Sequence, residues 1–136
     1  MLFFTACTST IKTTSGLKYK FLDYTKHNYS IYIDAVNFQD ATEDEIRNIS
    51  TKPYDGKPVP VKNAKEAAKA GADILDQHYK SWSKTGTVAV SYNNVAGAWI
   101  IHGQMNRQSE ANGIGVVVID AETGEVLCLT FDNSSS

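Results

Sequence analysis

From residue 63 onward, apolar and polar positions are spaced so as to predict one helix followed by four strands. Ala64, Ala67, Ala68, Gly71, Ile74, Leu75, His78 and Trp82 recur at three- and four-residue intervals, with Lys65, Lys69, Asp73, Gln77 and Lys80 opposite them. That period predicts an amphipathic helix. Asn63 and Glu66 supply a box-like N-terminal cap. A glycine inside a helix costs about 1 kcal/mol relative to alanine. Gly71, among small alanines on the apolar face, therefore predicts close approach to a sheet. In residues 87–92 the pattern becomes strict alternation, with Val88, Val90 and Tyr92 against Thr87, Ala89 and Ser91. Asn93-Asn94 marks a turn, and residues 98–103 form the next strand. Residues 114–120 and 125–131 then flank Ala121-Glu122-Thr123-Gly124, with Gly124 at the left-handed position of a hairpin loop. Helix and strands joined by short links predict an α+β fold, an antiparallel curved sheet packed on one main helix.

Upstream, Tyr19, Phe21 and Tyr24 alternate with Lys18, Lys20 and Asp23, and Tyr29, Ile31 and Ile33 alternate with Ser30, Tyr32 and Asp34. These two runs predict a hairpin turning near residues 25–28. Thr42-Glu43-Asp44-Glu45 has the form of a capping box with an acidic first turn, which predicts a short helix with Ile46 and Ile49 facing inward. Residues 50–60 hold all three prolines and Asp55-Gly56, and read as a loop. Residues 1–16 offer little to bury and read as a disordered or processed tail. The expected organisation is this tail followed by a single domain over residues 17–133.

The composition, 42% hydrophobic and 21% charged over 136 residues, suits one globular domain able to bury a core without disulfides. A net charge of -2, with lysines scattered and not arrayed in a stripe, argues against nucleic acid as a partner. No apolar run approaches the roughly 20 residues of a membrane-spanning helix.

Candidate chemistry is sparse. Cys128 lies in an apolar strand pattern and reads as a small buried hydrophobe. Cys7 ends Met1-Leu2-Phe3-Phe4-Thr5-Ala6-Cys7, which looks like the tail of a bacterial lipoprotein signal, with Cys7 as the acylated residue. A signal peptide needs a basic start and a longer apolar core, so this reading expects the true start to lie upstream. A Cys7–Cys128 disulfide would require the tail to reach a core strand. The three histidines, His27, His78 and His102, are far apart. Of these, His102 sits where a strand could display it, and it could meet His78 if the helix covers that strand. No spacing suits a metal, a phosphate loop or a nucleophile elbow. Gly113-x-Gly115 reads as a backbone device. The acidic set Asp34, Asp40, Glu43, Asp44 and Glu45 reads as a solvated helix start. Trp82 and Trp99 fit core positions, and Tyr79, Tyr92 and His102 remain as candidate pocket or partner contacts. The expectation is a protein without catalytic residues, cofactor or metal.

Residues 59–132 resemble the NTF2-fold immunity protein family of bacterial polymorphic-toxin systems. The resemblance rests on Val59-Pro60-Val61, the helix from Glu66 to Trp82, the lysine-threonine start of the next strand, Trp99-Ile100-Ile101-His102-Gly103, the apolar strand from Gly113 to Ile119, and the hairpin from Asp120 to Val126. It covers about half of the chain. The departure is at the end, where Thr130-Phe131-Asp132-Asn133 stands in place of a basic residue and a His-Gly pair. The resemblance implies an NTF2-like or cystatin-like cone and a non-catalytic protein, monomeric or weakly dimeric, that neutralises a cognate toxin by direct association. A lipid on Cys7 would place it in the cell envelope; otherwise it would be cytoplasmic. The 119–126 hairpin is also similar to that of PepSY-type envelope domains, which implies protease inhibition. A small ligand-binding or enzymatic NTF2-like domain is the third reading.

Overall fold

Among the described residues, six strands form one sheet, and one long helix lies on one of its faces. The computed structural model describes residues 9–14, 16, 18–25, 32–33, 36–49, 54–78, 85–105 and 113–133. The sheet strands, in their order across the sheet, are β1 (Ser9–Lys12), β2 (Lys18–Asp23), β5 (Thr85–Asn93), β6 (Ala98–Met105), β7 (Gly113–Asp120) and β8 (Val126–Asn133). A separate two-stranded ladder joins β3 (Tyr32–Ile33) to β4 (Val36–Asn37). The helices are α1 (Glu43–Arg47) and α2 (Ala64–His78).

The α+β class and the helix-plus-four-strand unit match the sequence reading. The sheet, however, is mixed and not antiparallel throughout. β2 pairs parallel to β5, with Phe21 opposite Val88 and Asp23 opposite Val90, and the remaining neighbours in this sheet are antiparallel. Parallel neighbours need a long crossover, and here the connection carries β3, β4, α1 and α2. The expected hairpin between residues 19–24 and 28–36 is replaced by this arrangement, because β2 spends its two edges on β1 and β5. Residues 9–14 also belong to the fold and not to a tail, since β1 pairs with β2 and buries Ile11.

Alternation along the strands divides the core between the two sheet faces. On the α2 face, Ile11, Tyr19, Phe21, Val88, Val90, Ile101, Val117, Ile119 and Leu129 meet Ala64, Ala67, Ala68, Ile74 and Leu75. On the other face, Ala98, Ile100, Val116, Val118 and Cys128 meet Phe38, Ala41, Ile46 and Ile49 from the segment around α1. Ile46 and Ile49 thus point inward as expected. The neighbours Leu127 and Cys128 both join the second face, because a bulge interrupts the ladder at Val118/Ile119 and leaves Leu127 without a register partner.

The helix starts are built from side chains. Thr42 Oγ1 accepts from the Glu45 amide at 3.2 Å while Glu45 Oε2 accepts from the Thr42 amide at 2.7 Å, the expected capping box. At α2, Asn63 Oδ1 accepts from the Glu66 amide at 2.9 Å, but Glu66 Oε2 reaches the Lys62 amide at 2.7 Å, one residue further back than a capping box would place it. Gly71 lies directly over β6, where an added Cβ would stand 2.6 Å from Ile101 Cβ. Gly115 has the same purpose on β7, its missing Cβ leaving room for the Leu75 side chain. It is a packing glycine, not the conformational one read from the sequence. Gly124 has a φ of 78°, as its loop position required.

Candidate functional site

Three surface features draw on chemistry-bearing residues, and they lie in different parts of the fold. The first is the edge of the sheet at β1, which has no outer strand neighbour among the described residues. Thr14 fastens this end of the chain to α2: its amide donates to Asp73 Oδ1 at 2.6 Å and its hydroxyl to Asp73 Oδ2 at 3.0 Å. Tyr19 of β2 donates from its hydroxyl to Asp76 Oδ1 at 2.6 Å. With both strands fixed in this way, β1 and the first turns of α2 enclose a groove of about 230 Å³ lined by Thr10, Ile11, Lys12, Lys65, Glu66 and Lys69.

The groove is basic. Lys12 stands opposite Lys18 and Thr10 opposite Lys20 in the β1–β2 register, and all three lysines are exposed. Lys65 and Lys69 stand on the helix side. Among the described residues, Lys69 is paired with Asp73 at 3.4 Å, while Lys12, Lys18, Lys20 and Lys65 form no ion pair. The carboxylate of Glu66 is engaged by the Lys62 amide. Like charges directly opposite across a ladder are unfavourable, so Lys12 and Lys18 hold positive potential at this edge on a chain whose net charge is -2. Both β1 and β8 end the sheet, with no second strand neighbour among the described residues, and each lies beside a helix: α1 near β8, where Arg47 is bonded to Glu43 and Glu125, and α2 near β1.

The second feature is an aromatic pair. Tyr92 and Trp99, directly opposite in the β5–β6 register, have ring centroids 5.0 Å apart at a tilt of 57°. Trp99 is half-buried against the helix-side core, as its apolar position predicted, while Tyr92 and Val95 are exposed. Tyr92 thus remains available as a contact residue.

The third is the strand histidine. His102 neighbours Ile101, which faces α2, so its imidazole is on the opposite sheet face and does not meet His78 across the helix. His78 instead packs on Tyr54, with ring centroids 5.5 Å apart. Desolvation lowers the His102 pKa and favours neutral imidazole. Ser91, on the same face as His102, is fully buried, and its hydroxyl finds no hydrogen-bond partner among the described residues. The two residues are therefore not joined as nucleophile and base.

Other polar groups are engaged in structure. Asn93 is fully buried at the β5–β6 turn, where its Nδ2 donates to the Phe38 and Ala41 carbonyls. Its Oδ1 accepts from the amides of Val95 at 2.9 Å and Ala96 at 2.8 Å. Asp120 Oδ1 accepts from the amides of Thr123 at 2.8 Å and Glu122 at 2.9 Å, and the Thr123 amide above all holds its pKa below the ordinary value. Among the described residues, no group of three or more His, Cys, Asp or Glu is placed to hold a metal ion. Cys128 is buried in β8, and its candidate disulfide partner lies outside the described residues. Cys7, Tyr79 and Trp82 lie outside the described residues, as does Asp34 of the acidic set.

The basic edge was missed in the sequence because residues 8–15 read as a polar tail. The signal present was the burial alternation of Thr10-Ile11-Lys12-Thr13, together with Lys65 and Lys69 spaced one helical turn apart. Searches against family models, curated proteins and solved structures find no match.

Proposed function

We propose that this chain is a non-catalytic binding protein whose partner is another protein, in the manner of an immunity protein that neutralises a cognate toxin by direct association. The observation that carries the reading is the groove beside β1, an open strand edge set among uncompensated lysines on an acidic chain. Exposed Tyr92 adds an aromatic anchor of the kind that concentrates binding energy. The toxin as partner is implied by the resemblance over residues 59–132, and the finer fold, an NTF2-like or cystatin-like cone, belongs to the same proposal. The main helix laid on a mixed sheet is compatible with such a cone. Acylation at Cys7 would hold the protein at the envelope surface, where a toxin delivered from a neighbouring cell would be met.

Co-expression with the product of the adjacent gene tests the reading. The expected result is a co-purifying complex and rescue of growth; growth arrest with no retained partner refutes it. Metabolic labelling with palmitate tests the anchor, which is refuted by an unlabelled product in cells that process lipoproteins.

A further inference from the structure

We infer that the exposed edge of β1 is a strand-addition site that takes an extended acidic segment of the partner protein. The inference rests on the protein-binding reading and names the mode and chemistry of that binding.

An edge strand presents main-chain donors and acceptors that an incoming strand can satisfy, while flanking side chains decide which strand is accepted. β1 meets both conditions. Its inner edge pairs with β2 over Ser9–Lys12, its outer edge has no described strand neighbour, and Thr14 and Asp73 hold its end in place. A strand docking there gains ladder bonds without first ordering a loose segment. Lysines stand on both sides of the edge: Lys12, Lys18 and Lys20 on the face away from α2, Lys65 and Lys69 on the face that α2 covers.

Lysine on an edge strand also serves as a guard against unwanted pairing. A guard of one sign is selective. Another copy of this edge would bring lysine against lysine, as would any basic strand, whereas carboxylates at alternate positions of an incoming strand would all lie on one face, toward Lys12 and Lys20, with the residues between them on the face of Ile11 and Lys65. Attraction to one class and repulsion of the other set specificity together. The apolar floor beside Ile11 suits small or β-branched side chains between the acids. The main-chain edge favours a polypeptide over a nucleic acid, which has no ladder to offer.

Selection of displayed random peptides of about twelve residues, a span that covers an ordinary strand, on the full chain tests this directly. The expected peptides alternate Asp or Glu with β-branched residues, and their binding slows amide exchange at residues 9–12. Charge reversal by Lys12→Glu, Lys20→Glu and Lys65→Glu together, all at exposed positions, should weaken them by about tenfold or more, with folding checked by circular dichroism. Should that variant not fold, the wild-type chain decides: N-methylation of alternate peptide amides should abolish binding, and raising salt to about 0.5 M should weaken it. Selection of neutral or basic peptides, protection elsewhere, indifference to N-methylation, or equal competition by a single-stranded oligonucleotide would each overturn the site. A co-expressed partner retained equally by wild type and the charge-reversed variant sinks the β1 edge and leaves protein binding standing. Acidic peptides bound at β1 with no rescue in the toxin test uphold the edge and remove the immunity role.

Discussion

Replacing Gly71 by alanine isolates the contact that seats α2 on the sheet. In an open helix the change would stabilise by about 1 kcal/mol, because alanine restricts the unfolded chain and favours the helix. Here the new Cβ would lie 2.6 Å from Ile101 Cβ and 2.8 Å from its Cγ1, against the roughly 3.5–4.0 Å of an ordinary carbon contact. The overlap of about 1 Å falls on the branch point of a fully buried side chain in the middle of β6, which cannot rotate aside. The helix must lift, and overpacking of this kind costs about 1–3 kcal/mol. Because the clash is with an anchored carbon, the upper part of that range applies, leaving a net loss of about 1–2 kcal/mol. For a domain of this size that lowers Tm by roughly 3–8 °C.

The assay is urea and thermal unfolding followed by far-ultraviolet circular dichroism, run as a double-mutant cycle with Ile101→Ala. Ile101→Ala alone opens a cavity and costs about 2–4 kcal/mol. It also removes both γ carbons from the space the new methyl needs, so the pair should lose about 1 kcal/mol less than the sum of the single changes. A Gly71→Ala variant with a raised Tm, or strict additivity in the cycle, would refute the close approach.

Asn93→Ala leaves two amides and two carbonyls at the β5–β6 turn without their partner, and an expected loss of about 2–4 kcal/mol is read from urea unfolding. Asn93→Asp should be worse, because a carboxylate cannot donate to the Phe38 and Ala41 carbonyls. Gly124→Asn should destabilise by about 2 kcal/mol or more even though asparagine tolerates positive φ, since any Cβ there would stand 2.7 Å from the Val59 carbonyl carbon. Gly97→Asn, with a φ of 61° and open space around it, should stay within about 0.5 kcal/mol of wild type in the same Tm measurement. The Asp120 pKa is depressed in the folded state, so its stabilisation is present above the ordinary carboxylate value near 4 and fades as pH falls through the folded pKa. Wild type and Asp120→Asn should therefore converge in acid titrations of stability. His102 acts with the same sign in a higher pH window, because its lowered folded pKa makes unfolding take up a proton; stability should fall as pH drops below about 6.5, until the folded imidazole also titrates. His102→Gln should remove that slope.

Local patterns were legible in the sequence because their causes are local. The period of α2, the capping box at Thr42, the positive φ at Gly124 and the small residue at Gly71 each follow from neighbours within a few positions. The pairing of β2 with β5 was not legible. Nothing in Lys18–Asp23 names a partner 67 residues away, and a plausible hairpin nearby satisfied the same alternation. Asn93 was read as turn chemistry, which it is, but its bonds to Phe38 and Ala41 join segments more than fifty residues apart. His102 was read as a strand residue without a face; only the packing of Ile101 under Gly71 decides that it points away from α2.

The same distinction separates what stabilises this fold from what is left to recognise a partner. Where side chains bridge distant segments, their polar atoms are engaged: Asp73 and Asp76 hold the N-terminal strands to α2, Asn93 holds the 38–41 segment to the sheet, and Arg47 ties α1 to the 119–126 hairpin. Lys12, Lys18, Lys20 and Lys65 have no such duty among the described residues, and clustered like charge in a folded state is tolerated only at some cost. Scattering them would leave the core untouched and relieve that repulsion. Their concentration at the β1 edge is what motivates the proposed strand-addition site, since no contact among the described residues requires it.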